Sequence, residues 1–211
     1  VPADAVAPAH WRGLFTKIGT LRDTADFDVV RLLWLWNAHP GDPMLQPATW
    51  AGVEATLLGF KYWFTDPTPA GVIDDMWYWS ENHQIIFHTL EYLAGQTWPT
   101  RVFTTTGMTG AEHRAHARAK IVRWLEHKAR FGFDEWHSNV YYQKDVTPLL
   151  TLVEFADEPE IATGAAMLLD RTLLDIAIHH YKGNFGSTHG RSYKKDKMTG
   201  LHDDTYGLSK L

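Results

Sequence analysis

The sequence predicts an all-α protein built from antiparallel helical hairpins, and three observations carry that expectation. Apolar side chains recur at a period near 3.6 through six segments, whereas no run alternates with the period of a strand. Gly and Pro clusters fall between those segments rather than inside them. Only Asp157-Glu158-Pro159 separates the last two segments, which forces them to lie antiparallel.

Each element has its own signal. The first helix is expected from about Asp26 to Asn37, with Val29, Val30, Leu33, Trp34 and Trp36 apolar, ending before the breaker cluster His39-Pro40-Gly41-Asp42-Pro43. The second runs from about Pro47 to Phe64. The third starts near Ser80 as N-cap and carries Ile85, Ile86, Leu90 and Leu93 at core spacing until Gly95. The fourth covers about Thr109 to Arg130. Its first half, crowded with Glu112, His113, Arg114, His116, Arg118 and Lys120, is expected to be exposed, and Ile121, Trp124 and Leu125 anchor the second. The fifth spans about Val146 to Ala156 and the sixth about Glu160 to Tyr181, with Ile161, Ala165, Leu168, Leu169, Thr172 and Ile176 on one face. Three hairpins, starting near residues 26, 80 and 146, suit part or all of a loose toroid. Residues 1–183 thus read as a helical-hairpin domain and 184–211 as a polar, glycine-punctuated tail. Closing the toroid would take a C-terminal continuation or a second chain.

Composition removes several function classes. The 211 residues carry a net charge of −5 with neutral histidines, so a phosphate-tracking surface and a nucleic-acid partner are not expected. With no cysteine there is no disulfide, thiol nucleophile or thiolate metal site, and 12 histidines become the main chemical resource. No run of about 18 apolar residues exists, so no membrane span is expected. The first residues, Val1 to Pro8, lack an initiator Met, a basic stretch and an apolar stretch. They read as a trimmed end, which suits a secreted or periplasmic protein but equally an artificial boundary. Aromatic residues reach 13%, a surplus that needs a use.

Three clusters are richer in reactive side chains than a helical core requires. They are Asp74 to Gln84, containing Trp77, Trp79, Glu81, Asn82 and His83; Phe131 to Tyr142, containing Glu135, Trp136, His137, Tyr141 and Tyr142; and Ser187 to Tyr193, containing His189 and Arg191. In an up-down array the starts of the third and fifth helices and the end of the sixth share one rim, and the loop Thr65 to Asp75 brings Asp66, Asp74 and Asp75 toward it. Plainer readings stand beside this one. Glu81 and Asn82 suit a helix cap, His83 suits a hydrogen-bonded core histidine, and His179 and His180 suit partners for the last carbonyls of a helix. His113, His116 and His127 suit a solvated charged face. His83 and His88 are five apart, off the spacing that puts two metal ligands on one helix face, and no His-Glu-x-x-His pattern occurs, so neither metal nor cofactor is expected. Gly-x-Ser-x-Gly is absent, and the Gly183 to Gly190 stretch lacks both the phosphate-loop pattern and a preceding strand.

At Trp77-Tyr78-Trp79-Ser80-Glu81-Asn82-His83, with His137, Tyr141 and Arg191 downstream, the chain resembles the α/α-toroid polysaccharide lyases that act on chondroitin, hyaluronate and alginate. The resemblance spans residues 26 to 195 in hairpin organisation and rests on short motifs. It implies a catalytic set of Asn82, His137, Tyr141 and Arg191, in the family's chain order. It also implies an acidic polysaccharide or oligosaccharide as substrate and β-elimination as the reaction. Trp77, Trp79, Glu81, His83, Trp136, Tyr142, His189 and Tyr193 then line the substrate. Three departures are the adjacent Tyr141 and Tyr142, the second histidine beside Asn82, and the incomplete barrel. The alternatives are an α/α-toroid glycoside hydrolase, with Asp75, Glu81 and Glu135 available for a carboxyl pair, and a noncatalytic carbohydrate-binding helical domain.

Overall fold

In the computed structural model, residues 7–208 are described, and the chain is all-α with one two-stranded hairpin. The first residues, Val1 to Val6, on which the reading of a trimmed end mostly rests, lie outside the described residues. The helices are α1 (Pro8–Gly19), α2 (Ala25–Ala38), α3 (Pro47–Gly59), α4 (Glu81–Thr97), α5 (Gly110–Phe131), α6 (Tyr142–Phe155), α7 (Pro159–His179) and α8 (Lys194–Met198). Strands β1 (His180–Tyr181) and β2 (Asn184–Phe185) pair antiparallel, and Gly200–His202 forms a 3-10 turn. The chain divides into two compact units, Val1–Arg118 and Ala119–Leu211.

The first unit packs α1 against α2 and α3, and α2 against α3 and α4. Helix α1 was not anticipated, although Trp11, Leu14, Phe15 and Ile18 have helical spacing and Pro8 opens it at a position where a missing N–H costs nothing. Helix α3 stops at Gly59, short of Phe64, because the Asp66 carboxylate accepts the backbone N–H groups of Tyr62 (3.1 Å) and Trp63 (3.0 Å) and holds that stretch in a turn. Asp66 and Asp74 are therefore committed to the loop itself. Asp74 binds the buried Lys61 ammonium at 2.8 Å and accepts the Tyr78 hydroxyl at 3.0 Å. Burial and the Asp74 carboxylate push the Tyr78 phenol well above its ordinary range, so it stays a proton donor.

Helix α5 begins with a capping box: Thr109 N–H donates to Glu112 Oε2 at 2.7 Å, and Glu112 N–H donates back to Thr109 Oγ1 at 3.3 Å. The expectation that its first half is solvated fails at His113, which is 1% exposed. His113, Ala117, Ile121 and Trp124 form a buried stripe at helical spacing inside a charged sequence. The buried Glu91 carboxylate provides the partner: Oε1 accepts Nδ1–H of His113 and of His116, each at 2.8 Å. His113 Nε2 is also within 2.7 Å of Thr106 Oγ1.

The second unit is organised by the α6–α7 hairpin. Arg171 on α7 donates to the carbonyls of Lys128 (3.3 Å) and Ala129 (2.6 Å), two of the last acceptors of α5. Helix α6 starts four residues earlier than expected, because the Ser138 hydroxyl accepts the N–H groups of Val140 (3.3 Å) and Tyr141 (3.0 Å) ahead of it. The tail beyond Gly183 is folded. Lys182 and Gly183 take left-handed φ values of 52° and 81° to turn β1 into β2, and Thr205 N–H reaches back to Asn139 O at 3.3 Å.

Candidate functional site

Within the second unit, the segments 135–142 and 187–193 lie side by side and are joined at successive positions. Gly190 N–H donates to Trp136 O (2.8 Å), Ser138 Oγ to Arg191 O (2.7 Å), and Ser192 Oγ to Asn139 Oδ1 (2.8 Å). Gly190 is required here: a Cβ on it would sit 3.0 Å from Trp136 N and 2.9 Å from Trp136 Cδ1. Sequence reading placed the reactive residues of these segments in two clusters, but the joining residues Ser138, Asn139 and Ser192 were not singled out. Their polarity was the available signal.

Tyr141, Arg191 and Tyr193 form one hydrogen-bonded group. The two phenol oxygens are 2.6 Å apart, and Arg191 donates to Tyr193 Oη from Nη2 (2.8 Å) and Nε (3.1 Å). The same guanidinium pairs with Glu135 Oε1 at 2.7 Å and lies 4.2 Å from the centre of the Tyr141 ring. Burial and the hydrogen bond to Tyr193 push the Tyr141 phenol up beyond its ordinary range, with Arg191 opposing them, so Tyr141 carries its proton at neutral pH. Trp136 packs edge-on against His137 and is exposed, whereas Tyr142 is buried in the core against Phe133 and Phe185.

His137 has a left-handed φ of 49°, uncommon for a residue with a side chain. The contacts on either side account for it: Gly190 holds the preceding carbonyl, and His189 Nδ1–H donates to the carbonyl of His137 itself. The His137 ring places Nδ1 3.1 Å from Ser187 Oγ and lies 4.2 Å, centre to centre, from the ring of His179. Burial, then the neighbouring His179, lowers the His137 pKa below its ordinary value; Asp175 opposes the shift and His189 adds to it. His137 is therefore neutral, and a competent base, at pH 7.

His179 and His180 bond the last carbonyls of α7, at Asp175 O (2.7 Å) and Ile176 O (2.6 Å), as helix-end histidines do. The contact of His179 with His137 was not foreseen. Beside these rings the second unit contains a cavity of about 660 Å³ whose wall includes Phe185, Ser187, His189, Asp196 and Asp203.

The first cluster belongs to the first unit. Trp77 and Trp79 are each 55% exposed, and Phe64 packs on Trp79 with ring centres 4.6 Å apart. Glu81 is buried. Ser80 occupies the N-cap of α4, but its hydroxyl donates to Asn82 Oδ1 (2.7 Å) instead of accepting a backbone N–H. Asn82 is fully buried, and among the described residues its Nδ2 has no hydrogen-bond partner. His83 is a core histidine: Nδ1 meets Asp26 Oδ2 at 2.6 Å, and Phe27 packs edge-on against the ring. Among the described residues no group of three or more His, Asp or Glu is arranged to hold a metal ion, and no helix is long and apolar enough to cross a membrane. No protein-family model, curated protein or solved structure matches the chain.

Proposed function

We propose that the chain carries the site of a carbohydrate-active enzyme, a polysaccharide lyase that cleaves uronic-acid-containing glycans by β-elimination. The observation that supports this most is the joined pair of loops, which sets a neutral imidazole (His137) and the protonated Tyr141, hydrogen-bonded to the arginine-bound Tyr193, on the same two short segments. Elimination needs a base and an acid of this kind. His137 takes the C5 proton of the uronate, the electrons of that C–H bond form the C4=C5 double bond, and the C4–O bond breaks. The leaving oxygen then takes the proton of Tyr141, whose hydroxyl is hydrogen-bonded to that of Tyr193, which in turn accepts from Arg191.

Arg191 supplies the positive charge that makes the C5 proton acidic by drawing on the adjacent carboxylate. Asn82, implied for that task by the resemblance, is buried, and no step is routed through it. Exposed Trp77, Trp79 and Trp136 suit stacking on sugar faces. The hydrolase alternative is less well supported, because Glu135 is in an ion pair with Arg191. The same reading implies a secreted or periplasmic protein, where polymeric glycans are met, and a toroid closed by further helices or a second chain.

The test is to incubate the chain with uronic-acid polysaccharides and follow ultraviolet absorbance, since only elimination creates a conjugated double bond. New reducing ends without absorbance would point to hydrolysis, and binding without either would point to a carbohydrate-binding domain.

A further inference from the structure

Thr106, His113 and Glu91, all in the first unit, form a hydrogen-bonded chain that the proposed elimination does not use. The Thr106 hydroxyl oxygen lies 2.7 Å from His113 Nε2, and His113 Nδ1 lies 2.8 Å from Glu91 Oε1. Burial would raise the pKa of the Glu91 carboxyl, but the hydrogen bonds from His113 and His116 outweigh it and hold it at about 2, so at neutral pH Glu91 only accepts. His113 Nδ1 therefore carries a proton, and in the neutral ring Nε2 keeps the lone pair that faces the Thr106 hydroxyl.

Each member is held in place. The His113 ring is buried against the rings of Phe103 and Tyr62, with centres 4.5 and 5.8 Å away. Met108 N–H donates to Thr106 Oγ1 at 3.2 Å, which leaves the hydroxyl proton for the imidazole. The turn itself is closed by Phe103 N–H to Met108 O and by Gly107 N–H to Phe103 O, both 2.8 Å. Among the described residues the N–H groups of Thr105 and Thr106 have no acceptor, so two backbone donors remain for a developing oxyanion. Thr106 is half-buried and the adjoining Gly107 is exposed, which opens the turn to a small group from solvent. A network that only braced the helices would be expected to use both oxygens of its carboxylate. Here Glu91 Oε1 takes both imidazoles, while Oε2 is buried and has no hydrogen-bond partner among the described residues. An incompletely satisfied buried charge is costly and is a mark of groups kept for chemistry.

We propose that Thr106, His113 and Glu91 form a further catalytic site, a hydroxyl–imidazole–carboxylate triad that hydrolyses esters of short acyl groups. Thr106 Oγ1 attacks the ester carbonyl carbon as His113 Nε2 takes the hydroxyl proton. The C–O bond to the alcohol then breaks, and the alcohol leaves with the proton from His113. Water, deprotonated in turn by His113, releases the carboxylic acid and restores Thr106. Glu91 is a positioning residue, which keeps the imidazole with Nε2 toward the hydroxyl. A half-buried hydroxyl on a surface turn suits an acetyl-sized group, with the alcohol left in solvent. No residue is shared with the loops at 135–142 and 187–193, so this site and the elimination reading stand or fall separately.

The experiment is to incubate the intact chain with p-nitrophenyl acetate, follow release of p-nitrophenolate, and locate the acetyl group by peptide mass spectrometry after an acid quench. Hydrolysis above the buffer rate and an acetyl ester on Thr106 are expected. Thr106→Val, nearly isosteric, should lower the rate by about 10² or more and remove that adduct, whereas Thr106→Ser should retain both. Glu91→Gln removes the negative charge beside the imidazole and should move the acidic limb of the rate to lower pH, which loss of a mere brace would not do. Circular dichroism reports whether each variant is folded, and the position of the adduct in the parent is decided without them. A parent rate equal to that of buffer, or acetyl found only on other residues, overturns the proposal. An unchanged rate in folded Thr106→Val does the same, and an unmoved limb in Glu91→Gln rejects the role of Glu91.

Discussion

The hydroxyls of Tyr141 and Tyr193 lie 2.6 Å apart, and Arg191 donates two further hydrogen bonds to the Tyr193 oxygen. Two tyrosines that share a hydrogen bond can pass a proton between them, and the guanidinium stabilises whichever phenolate forms. Tyr141→Phe and Tyr193→Phe should each lower kcat for elimination, Tyr141→Phe by about 10² or more, the ordinary scale for losing a general acid. Because the pair acts as a unit, the double variant should be little worse than the poorer single one. Multiplicative losses in steady-state kinetics would instead mean that the two hydroxyls work independently.

Arg191 touches Glu135, Tyr141 and Tyr193 at once, so charge and position must be separated. Arg191→Lys keeps the charge but cannot reproduce the planar fork. Arg191→Ala should weaken binding of an acidic oligosaccharide by roughly ten- to a hundredfold, with Arg191→Lys between it and the parent. Isothermal titration with acidic and neutral ligands is the check, and an equal loss for both ligands would make Arg191 a brace for the loop.

The His137 pKa is lowered by burial and by the adjacent His179. A base with a lowered pKa stays unprotonated to lower pH, so the acidic limb of kcat/KM should fall below about 6.5, the ordinary value for histidine. His179→Gln removes one of the causes and should move that limb upward. A limb that stays in place in the variant, or lies above the ordinary value in the parent, would show that another group is the base.

The helices were legible because burial imposes a period: Leu33, Ile85, Ile86, Leu90, Ile161 and Leu168 are all core residues at the spacing that predicted them. His113 was misread because period and polarity disagreed. Its neighbours Glu112 and Arg114 are charged, and nothing local shows that Glu91, 22 residues earlier, supplies a buried acceptor. The folded tail was hidden for a related reason. It is held to residues 135–142 by hydrogen bonds from polar side chains to backbone and to one another, which leave no hydrophobic period to read. The aromatic surplus divides between two uses. Tyr62, Tyr92, Phe87 and Phe103 are core, and Trp77, Trp79 and Trp136 are exposed, a distinction composition cannot make.

Two glycines make opposite predictions about stability. A Cβ on Gly95 would fall 2.4 Å from Gly110 O and 2.7 Å from Arg114 N, both backbone atoms that cannot swing aside. Gly95→Ala should therefore destabilise by about 2 kcal/mol or more, through forced separation of α4 from the start of α5. Gly13 lies inside α1, and a methyl group there would meet nothing within 4 Å, so Gly13→Ala should stabilise by up to about 1 kcal/mol. Chemical denaturation midpoints compare the two directly.

Glu91 is expected to contribute to the acid stability of the first unit. Burial alone would raise its pKa, but the hydrogen bonds and charges of His113 and His116 outweigh burial and bring it down to about 2. A carboxyl depressed in the folded state contributes stability that is fully present above its unfolded pKa of about 4.5 and is lost as pH falls toward 2. The full shift corresponds to a contribution on the order of 3 kcal/mol. Asp66 works in the opposite sense, because burial and the nearby Glu91 charge raise its pKa, so acid relieves a strain there. Glu91→Gln should therefore remove part of the parent's loss of stability between about pH 4.5 and pH 2, and His113→Ala, which leaves a buried carboxylate short of a partner, should cost about 3 kcal/mol at neutral pH. Urea unfolding at several pH values decides it: identical pH slopes for the parent and Glu91→Gln would mean that the buried carboxylate is not held by its two histidines.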